Sequence, residues 1–371
     1  MKKHAMFMLA TLVIVLTLVM AACQPAPAPQ PEKVVETVVV EKQVEVEKVV
    51  EKTVVVEKEK EDPMAALNGM KMAGVLSGPV NDGGWNTNAY KALVNLRDKY
   101  GLEIAYTEHT KVEDAAQVMR DYADSGYQII FAHGYEYADQ VKQVAQEYPD
   151  LKFIQTNGSE ANIPNLYTVT FAAGEGGYII GYTAGLTTKA NKVHWVVGTE
   201  FPLMTYELEE SARGCKASNP SCEVTWSFVG SWNDPAKAKE LAKAALDNGN
   251  DVIIGCADAG DVGSVEAVKE FAQGEKYVRF ISWVADRNYM APDLVLGGWQ
   301  QDVPVEIENI VRMIAEGKPG GHFSLDMTTG SHYMNPFYGL IPVENEQKVV
   351  DLINKYLADP KSVDIKVRYD L

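Results

Sequence analysis

The chain has 371 residues, 46% of them hydrophobic, with 51 acidic against 34 basic side chains and a formal net charge of −17. That is enough chain for more than one core-bearing lobe, and its charge argues against nucleic acid or an anionic membrane surface as partner, since both are polyanions. Its four cysteines and six histidines show no ligand-pair spacing, so neither a metal site nor another cofactor is expected.

In chain order, Lys2 and Lys3 precede an apolar run from Ala5 to Met20 that ends in small residues and Cys23. Charge, length and exit chemistry predict a signal peptide over 1–22. The run is short for a span, which wants roughly 20 apolar residues, and no later segment competes with it. Met20-Ala21-Ala22-Cys23 resembles a bacterial lipobox, which implies acylation of Cys23 and attachment to the outer face of the cytoplasmic membrane. Residues 23–66 read as a tether: Pro-rich to Pro31, then almost entirely Val, Glu, Lys and Thr. The valine spacing permits a short coiled coil, but Val is a mediocre helix former. An extended spacer, reaching on the order of 100 Å at ~3.1 Å per residue, is favoured.

From 67 to 371 the pattern becomes that of a packed domain. Strands are predicted over 70–77, 103–106, 127–132 and 152–156, alternating with helices over 85–100, 112–125, 136–148 and 174–188. The alternation restarts with strands over 193–198, 223–229, 251–256, 278–283 and 294–299 and helices over 206–216, 235–248 and 262–273. Repeated β-α units predict parallel sheets covered by helices on both faces. Two runs predict two doubly wound lobes: lobe 1 over about 67–191 with a C-terminal segment of about 301–371, and lobe 2 over about 192–300. A ligand then belongs at the carboxyl ends of the strands, in the interlobe cleft.

Chemically distinctive residues collect at those ends: Asn81-Asp-Gly-Gly-Trp-Asn86, Ala132-His-Gly-Tyr-Glu136, Gly230-Ser-Trp-Asn-Asp-Pro235, Cys256-Ala-Asp-Ala-Gly260 and Trp283-Val-Ala-Asp286. Trp85 and Trp232, approaching from opposite lobes, suit a flat heteroaromatic ligand. Tyr135, Trp283 and Trp299 are further candidates for lining the site. Asp82, Asn86, Asp234, Asp258 and Asp286 are candidates for its polar edge. Each has a structural alternative: Asp82 and Asn86 as helix caps, Asp234 before Pro235 as a helix start, and the tryptophans as packing. Glu175 either caps the helix from Gly174 or sits in the hinge. Cys215 and Cys222 flank a turn-rich segment that a disulfide would close in an oxidising compartment, and Cys256 reads as a buried free thiol.

From Met70 onward the sequence resembles the BMP family, the basic-membrane-protein or Med-type lipoproteins that serve as substrate-binding components of ABC transporters. The resemblance rests on Asn81-Asp-Gly-Gly-Trp-Asn86, Phe171-Ala-Ala-Gly-Glu-Gly-Gly-Tyr178 with Gly181 and Ala184, Val229-Gly-Ser-Trp-Asn-Asp-Pro235 and Asn250-Asp-Val-Ile-Ile254. It implies a type I periplasmic-binding-protein fold with a hinge and interlobe cleft, a permease partner, and a purine, usually a nucleoside, held between Trp85 and Trp232 with Asp82 and Asn86 on the base. Nucleoside-binding members carry an acidic pair near Val284 and Asp286 and a downstream Lys. This chain keeps Asp286 alone and reads Trp299-Gln-Gln301, so a free base such as adenine is expected, with Trp283 and Trp299 filling the sugar's space. A surface sensor without a transporter is the competing expectation. An enzyme is not expected, because no Gly-x-Ser-x-Gly elbow, Walker loop, His-paired Cys or full Gly-x-Gly-x-x-Gly fingerprint is present.

Overall fold

The computed structural model describes residues 62–159 and 162–369. The expected signal peptide, Cys23 and nearly all of the tether lie outside the described residues. Among those described, no helix is long and apolar enough to cross a membrane. The folded part starts within the stretch expected to be tether. Pro63–Leu67 forms a 3-10 turn that buries Met64 and Leu67 in the lobe 1 core. Asp62 caps that turn and pairs with Arg312 at 2.7 Å.

The first half of the chain forms β1 (Lys71–Leu76), α1 (Trp85–Tyr100), β2 (Glu103–Thr107), α2 (Val112–Asp124), β3 (Ile129–His133), α3 (Ala138–Glu147), β4 (Lys152–Thr156), β5 (Leu166–Phe171) and α4 (Glu175–Thr187). Then follow β6 (Lys192–Val197), α5 (Pro202–Ser218), β7 (Glu223–Phe228), α6 (Pro235–Asp247), β8 (Val252–Cys256), α7 (Asp261–Ala272), β9 (Arg279–Val284) and β10 (Val295–Gln301). The C-terminal segment adds α8 (Val303–Ala315), β11 (Gly321–Leu325), β12 (His332–Met334) and α9 (Val343–Ala358). The expected alternation omits β5, which follows β4 with no helix between them.

The first sheet has the order β11-β5-β4-β3-β1-β2 and is parallel throughout. The second has the order β12-β10-β9-β8-β6-β7, parallel except for β12, which pairs antiparallel with β10. Both lobes are therefore wound alike, each with its first strand between its second and third. The strand order reverses at β1/β3 and β6/β8, and a doubly wound sheet opens a crevice at such a point. Central strands such as Ile129–His133 and Val252–Cys256 are buried at every residue, as helices on both faces require.

The segment after 301, expected as a whole with the first lobe, is divided. Helix α8 and β11 belong with lobe 1. Strand β12 extends the second sheet, because Met334, Tyr333 and His332 pair with Trp299, Gln300 and Gln301, and α9 buries Val349 and Tyr356 in the core that contains α4. The chain thus crosses between lobes three times: after β5, after β10, and between β11 and β12. Helix α4 lies close against α5, where a Cβ on Gly181 would come 2.0 Å from the Ser211 carbonyl oxygen. Cys215 and Cys222 are joined as a disulfide, with Cα atoms 5.8 Å apart, and Cys256 is free and buried.

Candidate ligand-binding site

A cavity of about 350 Å³ opens where the carboxyl ends of the two sheets meet. Asp82, Trp85, Asn86, Tyr135, Trp232, Asp258 and Trp283, all expected from the sequence, line it together. A second groove of about 370 Å³ runs between the sheet edge at β6 and β7 and helix α6, past Lys192, His194 and Asn248, away from the strand ends. Only the first satisfies the topological rule and carries aromatic walls.

Trp85 opens α1. Its indole is half-buried and stacks on His133, with ring centroids 3.9 Å apart at 23°, while Phe171 meets it edge-on at 5.6 Å. His133 Nε2 lies 3.1 Å from the Trp85 carbonyl oxygen and Nδ1 2.8 Å from Thr156 Oγ1. A carbonyl only accepts, so Nε2 carries the proton and Nδ1 accepts from Thr156. Burial drives the His133 pKa down to about 3, making the ring a neutral backing for the indole.

From lobe 2, Trp232 lies over Gly198, where any Cβ would come 2.2 Å from the indole. Phe201 meets Trp232 edge-on at 6.3 Å and stacks on Tyr135 of lobe 1 at 5.8 Å and 14°. Trp283 is 3% exposed and meets Trp195 at 5.3 Å.

The polar residues divide by what they have left to offer. Asp82 Oδ1 accepts from Gly84 N, Thr87 N and Thr87 Oγ1, and Oδ2 from Asn86 N and Nδ2, all at 2.8–3.0 Å. Burial works to raise its pKa, but these bonds outweigh burial and hold the carboxyl below its ordinary range. A carboxylate has about four lone-pair sites, so Asp82 is fully engaged as a cap and has none left for a ligand edge. Asn86 uses its Oδ1 on Gly78 N and one amide proton on Asp82, which leaves a second N–H. Asp234 is likewise a cap, accepting from Lys237 N.

Besides Asp234, two expected residues stand away from the cavity lining. The Asp286 carboxylate accepts from Tyr338 Oη and Asn288 N. It is turned aside by the loop after Val284, whose φ of 69° is left-handed and rare for a β-branched residue. Trp299 is 1% exposed and lies behind Trp283, centroids 6.4 Å apart, and against His332.

Phe171, Phe201, Glu136, Asn157 and Gln301 also line the cavity and were not among the expected site residues. Phe171 and Gln301 end β5 and β10 and the other three follow strand ends, the signal that locates the others. Asn157 has left-handed backbone (φ 53°) and a buried Oδ1 with no hydrogen-bond partner among the described residues. Burial raises the pKa of Glu136. It lifts Asp258 to about 7, with the charge of Asp82 adding to the effect and Arg287 opposing it.

Behind the cavity, each interlobe crossover delivers one titratable residue to a buried cluster. Glu175 begins α4, Glu306 lies in the first turn of α8, and His332 begins β12. Glu175 accepts from His332 Nδ1 at 2.5 Å, Met327 N at 2.9 Å and Tyr356 Oη at 3.0 Å. Of the two roles the sequence allowed Glu175, the hinge is where it lies. His332 Nε2 stands 3.9 Å from Glu306 Oε1. Burial, then the charge of Asp302, pushes the Glu306 carboxyl well above its ordinary pKa.

Residues 70–334 match the family model described as Bmp, the PnrA-like ABC transporter substrate-binding proteins. The transcriptional activator protein Med of Bacillus subtilis is 29% identical over 279 residues, 75% of this chain and 85% of its own. A purine-binding protein of Brucella abortus is 29% identical over 220 residues, 57% of this chain and 62% of its own. The crystal structure of a transcriptional activator of the comK gene from Bacillus halodurans superposes with a TM-score of 0.69 at 26% identity, covering 78% of this chain and 98% of that one.

Proposed function

We infer the ligand from a premise the family supplies: this chain belongs to the Bmp family of PnrA-like ABC transporter substrate-binding proteins, extracytoplasmic and non-enzymatic solute binders. Within that role, we propose that it captures a purine, a free base such as adenine in preference to a nucleoside. The observation that carries the reading is the pairing of aromatic walls with two unused amide groups. Trp85, backed by His133, faces a wall formed by Trp232 and Phe201, while Asn86 retains an N–H and Asn157 an unpaired acceptor. A purine edge offers both a ring-nitrogen acceptor and an amino donor. The name of the Brucella abortus relative supports a purine. A cavity of about 350 Å³ is near the small end of the range for ligand sites, ~300–1,000 Å³. Asp286, the acid kept where nucleoside-binding members carry an acidic pair, is outside the lining and bonded elsewhere.

Isothermal titration with adenine and adenosine tests the choice. Adenine is expected to bind at least about tenfold tighter, a difference of ~1.4 kcal/mol; tighter adenosine binding rejects the free base.

Anchoring through Cys23 and delivery to a permease complete the proposal. Palmitate labelling that is lost in Cys23→Ser checks the first, and loss of adenine uptake on deletion of the gene checks the second. The names of the two activator relatives favour a second reading, a ligand sensor not linked to transport. Unchanged uptake in the deletion strain would select it.

A further inference from the structure

The first turn of a helix presents N–H groups that no carbonyl of the helix can reach. In α1 (Trp85–Tyr100) these belong to Trp85, Asn86 and Thr87, and the N-cap residue, Gly84, brings no side chain to them. Asp82 takes Asn86 N at 2.9 Å and Thr87 N at 3.0 Å. The Trp85 N–H is left without an acceptor in its own lobe. Across the cleft, the carboxylate of Asp258, at the carboxyl end of β8 in the other lobe, stands against this helix end, close to where a Cβ of Gly84 would lie. One turn further along α1, Asn88 Nδ2 donates across the cleft to the Val284 carbonyl at 3.3 Å.

Both lobe 2 partners hold left-handed backbone, φ 49° at Asp258 and 69° at Val284. Such conformations persist only where their surroundings enforce them. Arg287, 1% exposed, supplies that enforcement by donating to the Asp258 carbonyl at 3.2 Å and the Trp283 carbonyl at 3.0 Å, tying the ends of β8 and β9 together. The fit across the cleft is close, since a Cβ on Gly84 would lie 2.4 Å from Asp258 Oδ1. Gly84 is therefore the one residue type that lets the lobes meet in this way.

We propose that Asp258 is a positioning residue that latches the closed cleft: it completes the cap of α1 from the opposite lobe, so Trp85 is fixed against the ligand only when the lobes have met. The inference rests on the stacking role given to Trp85 above. One residue then reports both events, its indole sensing the ligand and its backbone N–H sensing closure. The carboxylates of Asp82 and Asp258 share one positive helix end, which a helix dipole favours.

The full chain contains six tryptophans, so labelling with 15N-tryptophan gives few backbone amide signals, and loss of one in Trp85→Phe assigns Trp85. With adenine bound, hydrogen exchange at the Trp85 amide is expected to be slow in the wild type, fast in Asp258→Ala and largely restored to slow in Asp258→Asn, whose amide oxygen still accepts. Adenine affinity should fall about tenfold in Asp258→Ala, mainly through faster release, and less than about threefold in Asp258→Asn. Gly84→Ala should weaken binding at least as much as Asp258→Ala. Combined with Asp258→Ala it should cost far less than the product of the two single losses, the signature of a direct contact. Equal exchange in wild type and Asp258→Ala, or losses that multiply independently, would overturn the latch. Failure of adenine to bind the wild type counts against the ligand assignment alone; the same exchange comparison with adenosine bound then judges the latch by the same outcomes.

Discussion

Arg287 offers the sharpest test of how the lobe 2 side of the cleft is built. It is buried, donates to the carbonyls of Trp283 and Asp258, and stands 3.4 Å from Asp261 Oδ2, an oxygen with no hydrogen bond of its own among the described residues. Arg287→Met keeps the apolar stem and removes all three interactions. Breaking a buried pair by removing one partner costs ~3–5 kcal/mol, a large share of the ~5–15 kcal/mol that holds a typical domain. The loss should depend on pH. Burial lifts Asp261 to about 6 even against the pull of Arg287, and without that pull it rises further. A carboxyl with a raised folded-state pKa binds more protons folded than unfolded, so its stability contribution falls as pH climbs through the folded value. In the wild type that fall ends near 6; in the variant it continues above. Urea unfolding should therefore give a loss of about 4 kcal/mol at pH 8 and about 2 kcal/mol at pH 5, where Asp261 is protonated in both proteins and only hydrogen bonds to carbonyls are missing. Asp261→Asn in the Arg287→Met background should recover most of the alkaline part. A loss under about 1 kcal/mol, or one equal at both pH values, would show that the pair does not hold these loops.

Trp85→Ala should weaken adenine binding by ~1–3 kcal/mol in calorimetric titration, the range for stacking of a base on an aromatic ring; no loss would make that indole a packing partner of His133. Adenine affinity should be highest in acid, fall as pH rises towards 7 and level off above it, because closure lifts Asp258 to about 7 through burial and the charge of Asp82, with Arg287 opposing and Asp261 adding. Titrations at pH 6 in buffers of different ionisation enthalpy should show proton uptake, absent in Asp258→Asn. Gly181→Ala must part α4 from α5, since its Cβ would meet the Ser211 carbonyl at 2.0 Å. A loss of ~1–3 kcal/mol is expected in urea unfolding, and an unchanged midpoint would contradict that packing. Breaking the Cys215–Cys222 disulfide should cost ~2–3 kcal/mol, given the short loop it closes, measured in urea unfolding as the difference between reduced and oxidised wild type.

Much of this architecture was legible because its signals are local. Helix α1 has the predicted bounds, 85–100: glycines precede it, and Gly101, in left-handed conformation at φ 73°, ends it. Strand β5 was passed over because no helix separates it from β4 and because Leu166–Phe171 intersperses threonines among its apolar residues, where a buried parallel strand usually runs continuously apolar. The strand-end rule placed seven residues around one cavity, but not what each does there. Asp82 looks available in the sequence and is fully bonded in the structure. Asp286 and Trp299 lie outside the lining because of a left-handed turn at Val284 and the burial of one indole behind another, and neither leaves a mark in residue type. Asn157 was passed over for a related reason: its importance lies in what it fails to bond.

The sixth strand of each sheet comes from the C-terminal segment. Gly321–Leu325 must find Tyr167–Phe171, and His332–Met334 must find Trp299–Gln301, before either sheet is complete. A chain synthesised from its N-terminus presents these pieces last. Until β11 arrives, β5 is an open edge, and long-range pairing of this kind is slow to form. The topology thus delays completion of the first sheet until synthesis is nearly over, and the unfinished edge depends on protection from edge-to-edge pairing until then.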